Sequence, residues 1–251
     1  MYRDLKNKNI ILTGGSGFLG KQITNAFKTV GSNVIILDIK KPHTEKKIEY
    51  YKCDITNENE VKEIAKKITK KKKIDVLINN AASDYVPSGS NKDFSLENFN
   101  LNIWNKDIEV SLNGSFICTK IFGSIMASKK KGVILNISSD LSIIAPNQDL
   151  YKSFNFIKPV TYSVVKHGIN GLTKYTAAYW AEKNVRCNAL APGGIFNNQK
   201  KSFLNKIKKI IPLKRLAKKN EYNDLILFLC SESSSYITGS IVIADGGRTI
   251  I

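Results

Sequence analysis

The sequence has few of the residues that stabilise extracellular proteins or bind metal ions. It contains 4 cysteines in 251 residues, and no two of them form a C-x-x-C pair. Each lies in or beside an apolar segment, which is typical of small buried residues in a reducing compartment. These residues are Cys53, Cys118, Cys187 and Cys230. We therefore expect neither a disulfide framework nor a metal site.

The sequence also lacks apolar runs near the length of about 20 residues that a membrane-spanning helix needs. Its first residues, MYRDLKNKN, contain no apolar core of the kind found in a signal peptide. We therefore predict a cytoplasmic protein with no membrane partner. The length suits one α/β domain with a sizeable core, and hydrophobic residues make up 42% of the chain.

Arginine is scarce although the chain is strongly basic. The formal net charge is +18, but only four of the 39 basic residues are arginine. A charge of this size raises the question of nucleic-acid binding. Lysine, asparagine and isoleucine are all abundant and have A/T-rich codons, which indicates a compositional origin. Since no arginine-rich stripe, zinc finger or RNA-binding signature is present, we predict no nucleic-acid partner.

Short β-branched runs alternate with longer amphipathic segments, the pattern of a parallel sheet covered by helices. The runs are apolar on both faces, as buried parallel strands are. The predicted strands are 9–13, 33–38, 48–53, 74–79, 132–138, 185–190 and 240–244. The predicted helices lie near 18–30, 58–71, 98–128, 160–183 and 220–231. We predict one α/β domain over residues 1–251, a doubly wound Rossmann fold with about seven parallel strands and helices on both faces.

Two irregular segments follow the carboxyl ends of predicted strands. They are 140–158 and the lysine-rich 193–212. Ligands of open α/β sheets bind at these strand ends. We therefore predict that both segments are substrate loops.

The stretch NIILTGGSGFLGKQ, residues 9–22, can be interpreted in two ways. Residues 15–20 spell G-x-G-x-x-G, the turn that brings a pyrophosphate to a helix start, and Lys21 extends them towards an ATP/GTP P-loop. A P-loop needs Ser or Thr after its lysine, and Gln22 stands there. Asp38 ends the second strand, where a dinucleotide site needs an acidic residue for the ribose hydroxyls. The carboxylate favours NAD(H), while the neighbouring lysines at 40–41 leave NADP(H) open.

Six segments carry a resemblance to a known family. In chain order they are TGGSGFLG (13–20), NNAA (79–82), NISS (136–139), YSVVK (162–166), NALAPGG (188–194) and TGSIVIADGG (238–247). Together they resemble the short-chain dehydrogenase/reductase family over nearly the whole chain. The resemblance implies an NAD(P)-dependent enzyme that forms a dimer or tetramer through the helices near 98–128 and 160–183.

The catalytic group is predicted from a tyrosine, a lysine and a serine. Tyr162 and Lys166 are four positions apart on a predicted helix, so both project from one face. A free tyrosine has a pKa of about 10, and a nearby ammonium lowers that pKa by stabilising tyrosinate. The resemblance implies that Tyr162 transfers the proton, while Lys166 assists it and binds the nicotinamide ribose. Ser139, the second serine of NISS, would hold the reacting oxygen.

Ser111 departs from the family pattern. The family commonly has asparagine at this position, where it holds a water that relays protons through the lysine, but this chain reads VSLNG. Asn113 points roughly 200° away on a helix of ~3.6 residues per turn. Ser111 can donate and accept hydrogen bonds with a shorter reach, so either another water arrangement serves or turnover is reduced.

The cofactor residues are implied by the same resemblance. They are Gly14, Gly17, Phe18, Leu19 and Gly20 in the first turn, Asp38, Asp54 and Ile55 near adenosine, Asn80, Ala81 and Ala82 after the fourth strand, and Pro192, Gly193 and Ile195 near nicotinamide, with Tyr162 and Lys166. Two alternatives stay open: Asp54 in a helix N-cap region, and Asn80 as a structural bridge. His43 and His167 are given no catalytic role, and His167 is expected to pack.

The leading functional hypothesis is an oxidoreductase that interconverts a secondary alcohol and a ketone. The stretch around 159–199 resembles family members associated with bacterial flagellin modification and surface-sugar biosynthesis, which suggests a sugar or nucleotide-sugar substrate. Residues 197–201 and the lysines at 206, 208 and 209 either bind hydroxyls and phosphates or form a solvated face. One alternative is a 3-oxoacyl-thioester reductase acting on an acidic carrier protein. Another, motivated by Ser111, is a non-catalytic NAD(H)-binding sensor or scaffold.

Overall fold

The computed structural model describes residues 2–42, 48–83 and 94–251, so His43 lies outside the described residues. Within these ranges a seven-stranded parallel sheet has the order β3-β2-β1-β4-β5-β6-β7. The strands are β1 Asn9–Thr13, β2 Asn33–Asp38, β3 Glu49–Lys52, β4 Val76–Asn79, β5 Gly132–Ile137, β6 Val185–Pro192 and β7 Ile241–Ala244. The strand order reverses between β1 and β4, which opens a crevice at their carboxyl ends. The predicted doubly wound fold is confirmed.

Helices cover both faces of the sheet. They are α1 Phe18–Thr29, α2 Glu58–Thr69, α3 Leu101–Ser128, α4 Val160–Trp180, α5 Lys201–Ile207 and α6 Asn223–Cys230. Neighbouring strand residues point to opposite faces. Ile11 therefore joins a core with α2 and α3, whereas Ile10 and Leu12 join a second core with α1 and α6.

The element boundaries differ from the prediction by a few residues. Helix α3 begins at Leu101 rather than 98 because the Asn100 side chain accepts hydrogen bonds from the Asn102 and Ile103 amides and caps the helix. Strand β4 begins at Val76 rather than 74, and α6 spans a shorter range than 220–231. Helix α3 also contains two wider turns of π type, at Glu109–Asn113 and Thr119–Gly123.

Helix α3 is long and apolar enough to span a membrane by length and composition, with 28 residues and a mean hydropathy of 1.2 over its most apolar stretch. This differs from the expectation that no apolar segment approaches that length. In the described part of the chain, 44% of that stretch is buried, and Cys118 and Phe122 pack in the core against the sheet. We therefore interpret α3 as a core helix.

The two predicted irregular segments pack against each other. Segment 140–158 contains three short 3-10 turns, and segment 193–212 contains α5, which the sequence did not predict. Leu150 of the first segment joins Ile207 and Ile211 of the second in a small third core. Tyr151 and Phe203 add an aromatic contact with ring centres 5.8 Å apart. The two segments thus form one unit beyond the carboxyl ends of β5 and β6.

Substituting Gly20 tests the close packing of the first turn. A Cβ at Gly20 would overlap the Gly14 carbonyl oxygen, whereas a Cβ at Gly171 on α4 would meet no atom within 4 Å. We expect Gly20→Ala to lower the free energy of unfolding by about 1–3 kcal/mol. Gly171→Ala should raise it by about 0.5–1 kcal/mol because alanine favours helix. Urea unfolding of the cofactor-free protein measures both, and equal stabilities of the two variants would contradict the packing argument.

Thiol reactivity tests the burial of the cysteines. All four are buried, and burial raises the pKa of Cys53, Cys187 and Cys230 to about 12 and that of Cys118 further. Because the thiolate is the reactive form, a thiol reagent at neutral pH should label none of them in the folded protein. All four should react after unfolding in denaturant. Fast labelling of the native protein would show that a core opens locally.

Candidate active site

The glycine turn lies at the carboxyl end of β1 and leads into α1. Gly14 adopts a positive φ of 66°, and a Cβ there would approach the Ala81 Cα to 2.7 Å. Gly17 precedes the first helical residue, Phe18, and both are exposed, while Gly20 is buried against the turn. Amide groups at a helix start point outwards and favour a negatively charged ligand. The turn can therefore bring backbone close to a pyrophosphate.

Asp38 lies directly beside this turn at the end of β2. Its two carboxylate oxygens accept hydrogen bonds from the Ser16 amide at 2.9 Å and the Lys40 amide at 2.9 Å. The Ser16 hydroxyl also donates to the Lys40 carbonyl oxygen at 2.6 Å. These contacts fix the carboxylate at the crevice between the first and second strands.

The segment after β4 is tied to the end of β1. The Asn80 side-chain amide donates to the carbonyl oxygens of Thr13 and Gly14, at 3.1 and 3.0 Å. The Thr13 hydroxyl accepts from the Asn80 and Ala81 amides. Asn80 therefore has the bridging contacts of the structural alternative, and Ala82 is exposed beside it. Thr13, which directly precedes the first glycine, was not predicted as a site residue from the sequence.

Asp54 and Ile55 follow β3. The Asp54 carboxylate accepts from the Thr56 amide at 3.0 Å and the Thr56 hydroxyl at 2.8 Å, in a turn just before α2. These are the contacts expected of the N-cap-region alternative, although the cap of α2 itself is Asn57. Ile55 is buried against α3 at Gly114.

The residues predicted near nicotinamide lie at the end of β6. Pro192 is the last residue of the strand and pairs with Ala244 of β7. The Gly193 amide donates to the Ala244 carbonyl oxygen, and the Gly193 carbonyl accepts from the Tyr222 hydroxyl. Ile195 forms a bridge with Ala217. These contacts fix the backbone on this side of the crevice.

Tyr162 and Lys166 lie on one face of α4, next to the end of β5. Lys166 is buried, and its Nζ donates to the Ile137 carbonyl oxygen at 2.9 Å. The same ammonium lies 5.8 Å from the centre of the Tyr162 ring. Bonding to a strand carbonyl fixes the position of a side chain that is otherwise flexible.

Ser139 directly follows β5 and is buried. Its Oγ donates to the Asp140 carboxylate at 2.9 Å and accepts from the Leu141 amide at 3.1 Å. Ser138 is turned towards α4, where its hydroxyl donates to the Asn170 side chain at 2.8 Å. The two serines thus have separate surroundings.

Lys158 is a second cation near Tyr162, and it was not predicted as a site residue from the sequence. Its Nζ lies 3.9 Å from the centre of the Tyr162 ring. A cation over an aromatic face is attracted by the ring's electrons. The available signal was spacing, because Lys158, Tyr162 and Lys166 stand at successive intervals of four.

Ser111 lies in the first π-type turn of α3. Its Oγ accepts from the Ser83 amide at 2.9 Å, and it lines a cavity together with Tyr162 and Lys166. Asn113 is exposed, so it does not substitute for Ser111. Asp107, one turn earlier, lines the same cavity and was also missed.

A buried ion pair lies next to Ser139. Arg248 Nη1 donates to the Asp140 carboxylate at 2.7 Å, and the two side chains are 7% and 4% exposed. Asp140 thus contacts the serine through one oxygen and the guanidinium through the other. The expected packing role of His167 is wrong: the ring is exposed and contacts the Ser163 carbonyl oxygen of its own helix.

The described residues contain no group of three or more His, Cys, Asp or Glu that could hold a metal ion. The crevice instead combines a glycine turn, an acidic residue after β2 and a tyrosine–lysine pair on α4. Together with the seven-stranded parallel sheet, these features define a nucleotide-dependent oxidoreductase of Rossmann type.

Comparison with known proteins gives the family. A sequence model described as enoyl-(acyl carrier protein) reductase matches residues 16–249. The chain belongs to the short-chain dehydrogenase/reductase family, whose members use NAD or NADP, and it is an oxidoreductase of that family.

Three similar proteins cover nearly the whole chain. A 3-oxoacyl-(acyl-carrier-protein) reductase from Thermotoga maritima is 32% identical over 98% of this chain and 99% of its own. The crystal structure of a short chain dehydrogenase from Leptospira borgpetersenii with bound NAD+ is 31% identical, with a TM-score of 0.90 over 99% of this chain and 96% of that one. Aldohexose dehydrogenase from Thermoplasma acidophilum is 30% identical, with a TM-score of 0.86 over 100% and 97%.

Removing Arg248 tests the buried ion pair. Arg248→Met leaves the Asp140 carboxylate buried without its cation, so the free energy of unfolding should fall by about 3–5 kcal/mol. The double variant Asp140→Asn/Arg248→Met should recover part of that loss, because the remaining group is neutral. Arg215→Met, which breaks the exposed pair with Glu221, serves as the control and should change stability little. Equal effects of Arg248→Met and Arg215→Met in urea unfolding would contradict the assignment.

Proposed function

We propose that this chain is an NAD(H)-dependent oxidoreductase that interconverts a secondary alcohol and a ketone on a sugar or nucleotide sugar. The observation that carries the proposal is that the ammonium groups of Lys158 and Lys166 lie 3.9 and 5.8 Å from the centre of the Tyr162 ring. Ser139 follows the strand whose last carbonyl holds Lys166. The catalytic group in this proposal is Tyr162, Lys166 and Ser139, with Ser111 beside them.

The glycine turn fits a dinucleotide. A side chain at Gly14 would overlap Ala81, and one at Gly20 would overlap Gly14 and Gly15, so glycine at both positions lets the turn stay close-packed with its backbone open to a pyrophosphate. Asp38 would accept the ribose hydroxyls, and its carboxylate would repel a 2′-phosphate. Pro192, Gly193 and Ile195 would border the nicotinamide, which when bound accepts or supplies the hydride. Lys40 is exposed near Asp38, and its ammonium group would attract a 2′-phosphate. The test therefore compares NAD(H) with NADP(H).

Tyr162 is the proposed proton carrier. In the oxidation direction its phenolate oxygen takes the proton of the substrate hydroxyl, and in reduction its hydroxyl returns a proton. Two ammonium groups near the ring stabilise the phenolate by Coulomb attraction. The Ile137 carbonyl oxygen keeps Lys166 in position for this effect.

Ser139 is the proposed binding group for the substrate oxygen. Its hydroxyl donates to the Asp140 carboxylate and accepts from the Leu141 amide, so a lone pair remains to accept from a substrate hydroxyl, and the hydroxyl hydrogen turns from Asp140 to the substrate when that oxygen is a carbonyl. Arg248 in turn fixes Asp140. This rigidity supports a role in holding the oxygen beside Tyr162.

The sugar assignment rests on two kinds of similarity. The stretch around 159–199 resembles family members of flagellin modification and surface-sugar biosynthesis, and an aldohexose dehydrogenase is 30% identical. Asn197 and Asn198 are exposed in the loop after β6, whereas Gln199 is engaged with the loop's own backbone. Lys208 and Lys209 are solvated, which favours a surface role for them. We propose the loops at 140–158 and 193–212 as the substrate loops.

A second candidate is a 3-oxoacyl-thioester reductase. The 32% identity to the Thermotoga maritima 3-oxoacyl-(acyl-carrier-protein) reductase favours it. The net charge of +18 would suit an acidic carrier protein. If such a reductase uses NADPH, the Asp38 carboxylate argues against this second candidate because it would repel the 2′-phosphate.

We also propose a homo-oligomer formed through α3 and α4. Phe116 on α3 and Tyr175 and Tyr179 on α4 are 51%, 68% and 66% exposed. Exposed aromatic residues of this kind are enriched at protein interfaces.

The test is a substrate panel with matched tyrosine variants. Wild-type protein is incubated with NAD+ or NADP+ and amino sugars, sugar phosphates and nucleotide sugars, and the absorbance of the reduced nicotinamide is followed. We expect turnover of a sugar with NAD+, and Tyr162→Phe should lower kcat by about 10²–10⁴-fold. Tyr236→Phe, at a fully exposed tyrosine outside α3 and α4, should leave kcat unchanged.

Three outcomes would overturn the proposal in different ways. Turnover of acyl thioesters alone would favour the second candidate. Binding of NADH without turnover of sugars, ketones or thioesters would favour a sensor or scaffold. Full activity of Tyr162→Phe would contradict the proposed proton carrier.

A further inference from the structure

Asp107 is a buried carboxylate for which the proposed function gives no role. It lies on α3, is 4% exposed, and its Oδ2 accepts a hydrogen bond from the Thr161 hydroxyl at 2.6 Å. Its Oδ1 is buried and has no hydrogen-bond partner among the described residues. A buried carboxylate oxygen without a partner is costly, so such an atom calls for a ligand or a water.

The carboxylate borders the cavity beside the tyrosine and lysine. Besides Thr161, the polar and charged described residues that line this cavity are Ser83, Asp107, Ser111, Lys158, Tyr162 and Lys166. Within the cavity, the centre of a water molecule can occupy a volume of about 10 Å³. That is about the room that one buried water needs.

Ser111 alone is a poor holder of such a water. Its Oγ already accepts a hydrogen bond from the Ser83 amide, and its side chain is short. Asp107 lies four residues before Ser111, so both side chains project from neighbouring turns of one helix face. Asp107 Oδ1 and Ser111 Oγ together supply the polar partners that a bound water requires.

We propose that Asp107 is a positioning residue that holds the proton-relay water in place of the missing asparagine. In oxidation, the substrate hydroxyl proton passes to the Tyr162 phenolate, and the resulting phenol must lose that proton before the next turnover. Lys166 Nζ takes this proton as it gives one of its own to the water, which passes a proton on to bulk water. Reduction runs the same transfers in reverse, so charge and protons balance.

The charges around the cavity suit this role. Lys158, from the segment before α4, and Lys166, from α4 itself, face the cavity together with Tyr162. One carboxylate among two ammonium groups keeps the cavity from repelling a proton in transit. Thr161 Oγ1 donates to the other carboxylate oxygen, Oδ2, and so joins α3 to the first turn of α4.

The inference rests on the proposed role of Tyr162. Four variants distinguish a water-holding role of Asp107 from a purely structural one. They are Asp107→Ala, Asp107→Asn, Asp107→Ala/Ser111→Asn and Thr161→Val. Asp107→Ala should lower kcat by about 10-fold or more with little change in KM, and raise the solvent isotope effect on kcat. Asp107→Asn keeps an oxygen for the water and should retain most activity. In the Asp107→Ala background, Ser111→Asn should restore kcat because the asparagine side-chain amide can hold the water.

The control is Thr161→Val, which removes only the hydrogen bond to Oδ2. If Asp107 served merely to fasten α4 to α3, Thr161→Val would lose as much activity as Asp107→Ala, and Ser111→Asn would restore nothing. A rise in KM with unchanged kcat and isotope effect would instead place Asp107 in substrate binding. Either result overturns the inference. If Tyr162→Phe is inactive while the Asp107 variants keep the wild-type kcat, this inference is contradicted and the proposed function still stands.

A readout without turnover comes from high-resolution crystal structures of wild type and Asp107→Ala. We expect a water bonded to Asp107 Oδ1 and Ser111 Oγ in the wild type, lost or displaced in Asp107→Ala and regained in Asp107→Ala/Ser111→Asn. An ordered wild-type cavity without that water would overturn the inference even if the substrate were unknown.

Discussion

The bond from the Lys166 ammonium to the Ile137 carbonyl oxygen is the interaction on which the site depends. It fixes α4 against the end of β5 inside the protein, where a misplaced charge would be costly. Tyr162 and Lys158 derive their positions from the same end of α4, and Thr161 connects that end to α3. The chemistry of the crevice therefore depends on one helix being seated correctly on one strand.

A buried network of polar side chains also holds α4 against the sheet. Asn79 at the end of β4 donates to the Thr119 hydroxyl of α3 and to the Asn136 side chain of β5. Asn136 donates in turn to the Thr173 hydroxyl of α4. The network joins two strands and two helices under the crevice. Hydrogen bonds of this kind are directional, so they specify one arrangement of the layers more strongly than apolar contacts do.

Much of the fold could be predicted from local sequence. Runs such as VIIL, residues 34–37, are apolar at every position because both faces of a parallel strand are covered, and the glycine spacing after β1 marks the turn directly. Helix α5 escaped prediction because its seven residues are held by the third core rather than by a strong pattern of their own. Tyr162, Lys166 and Ser139 were predicted as site residues because the motifs that resemble the family lie in short contiguous segments. Asp107 and Arg248 were not, because each meets its partner only through the tertiary fold.

The pairing of Arg248 with Asp140 has a consequence for the order in which the protein is made. The two residues are 108 positions apart, and Arg248 follows the last strand of the sheet. On the ribosome, β5, α4 and the glycine turn emerge while the carboxylate beside Ser139 still lacks its cation. The carboxylate beside Ser139 is therefore paired with its cation only after the segment that follows β7 has been made.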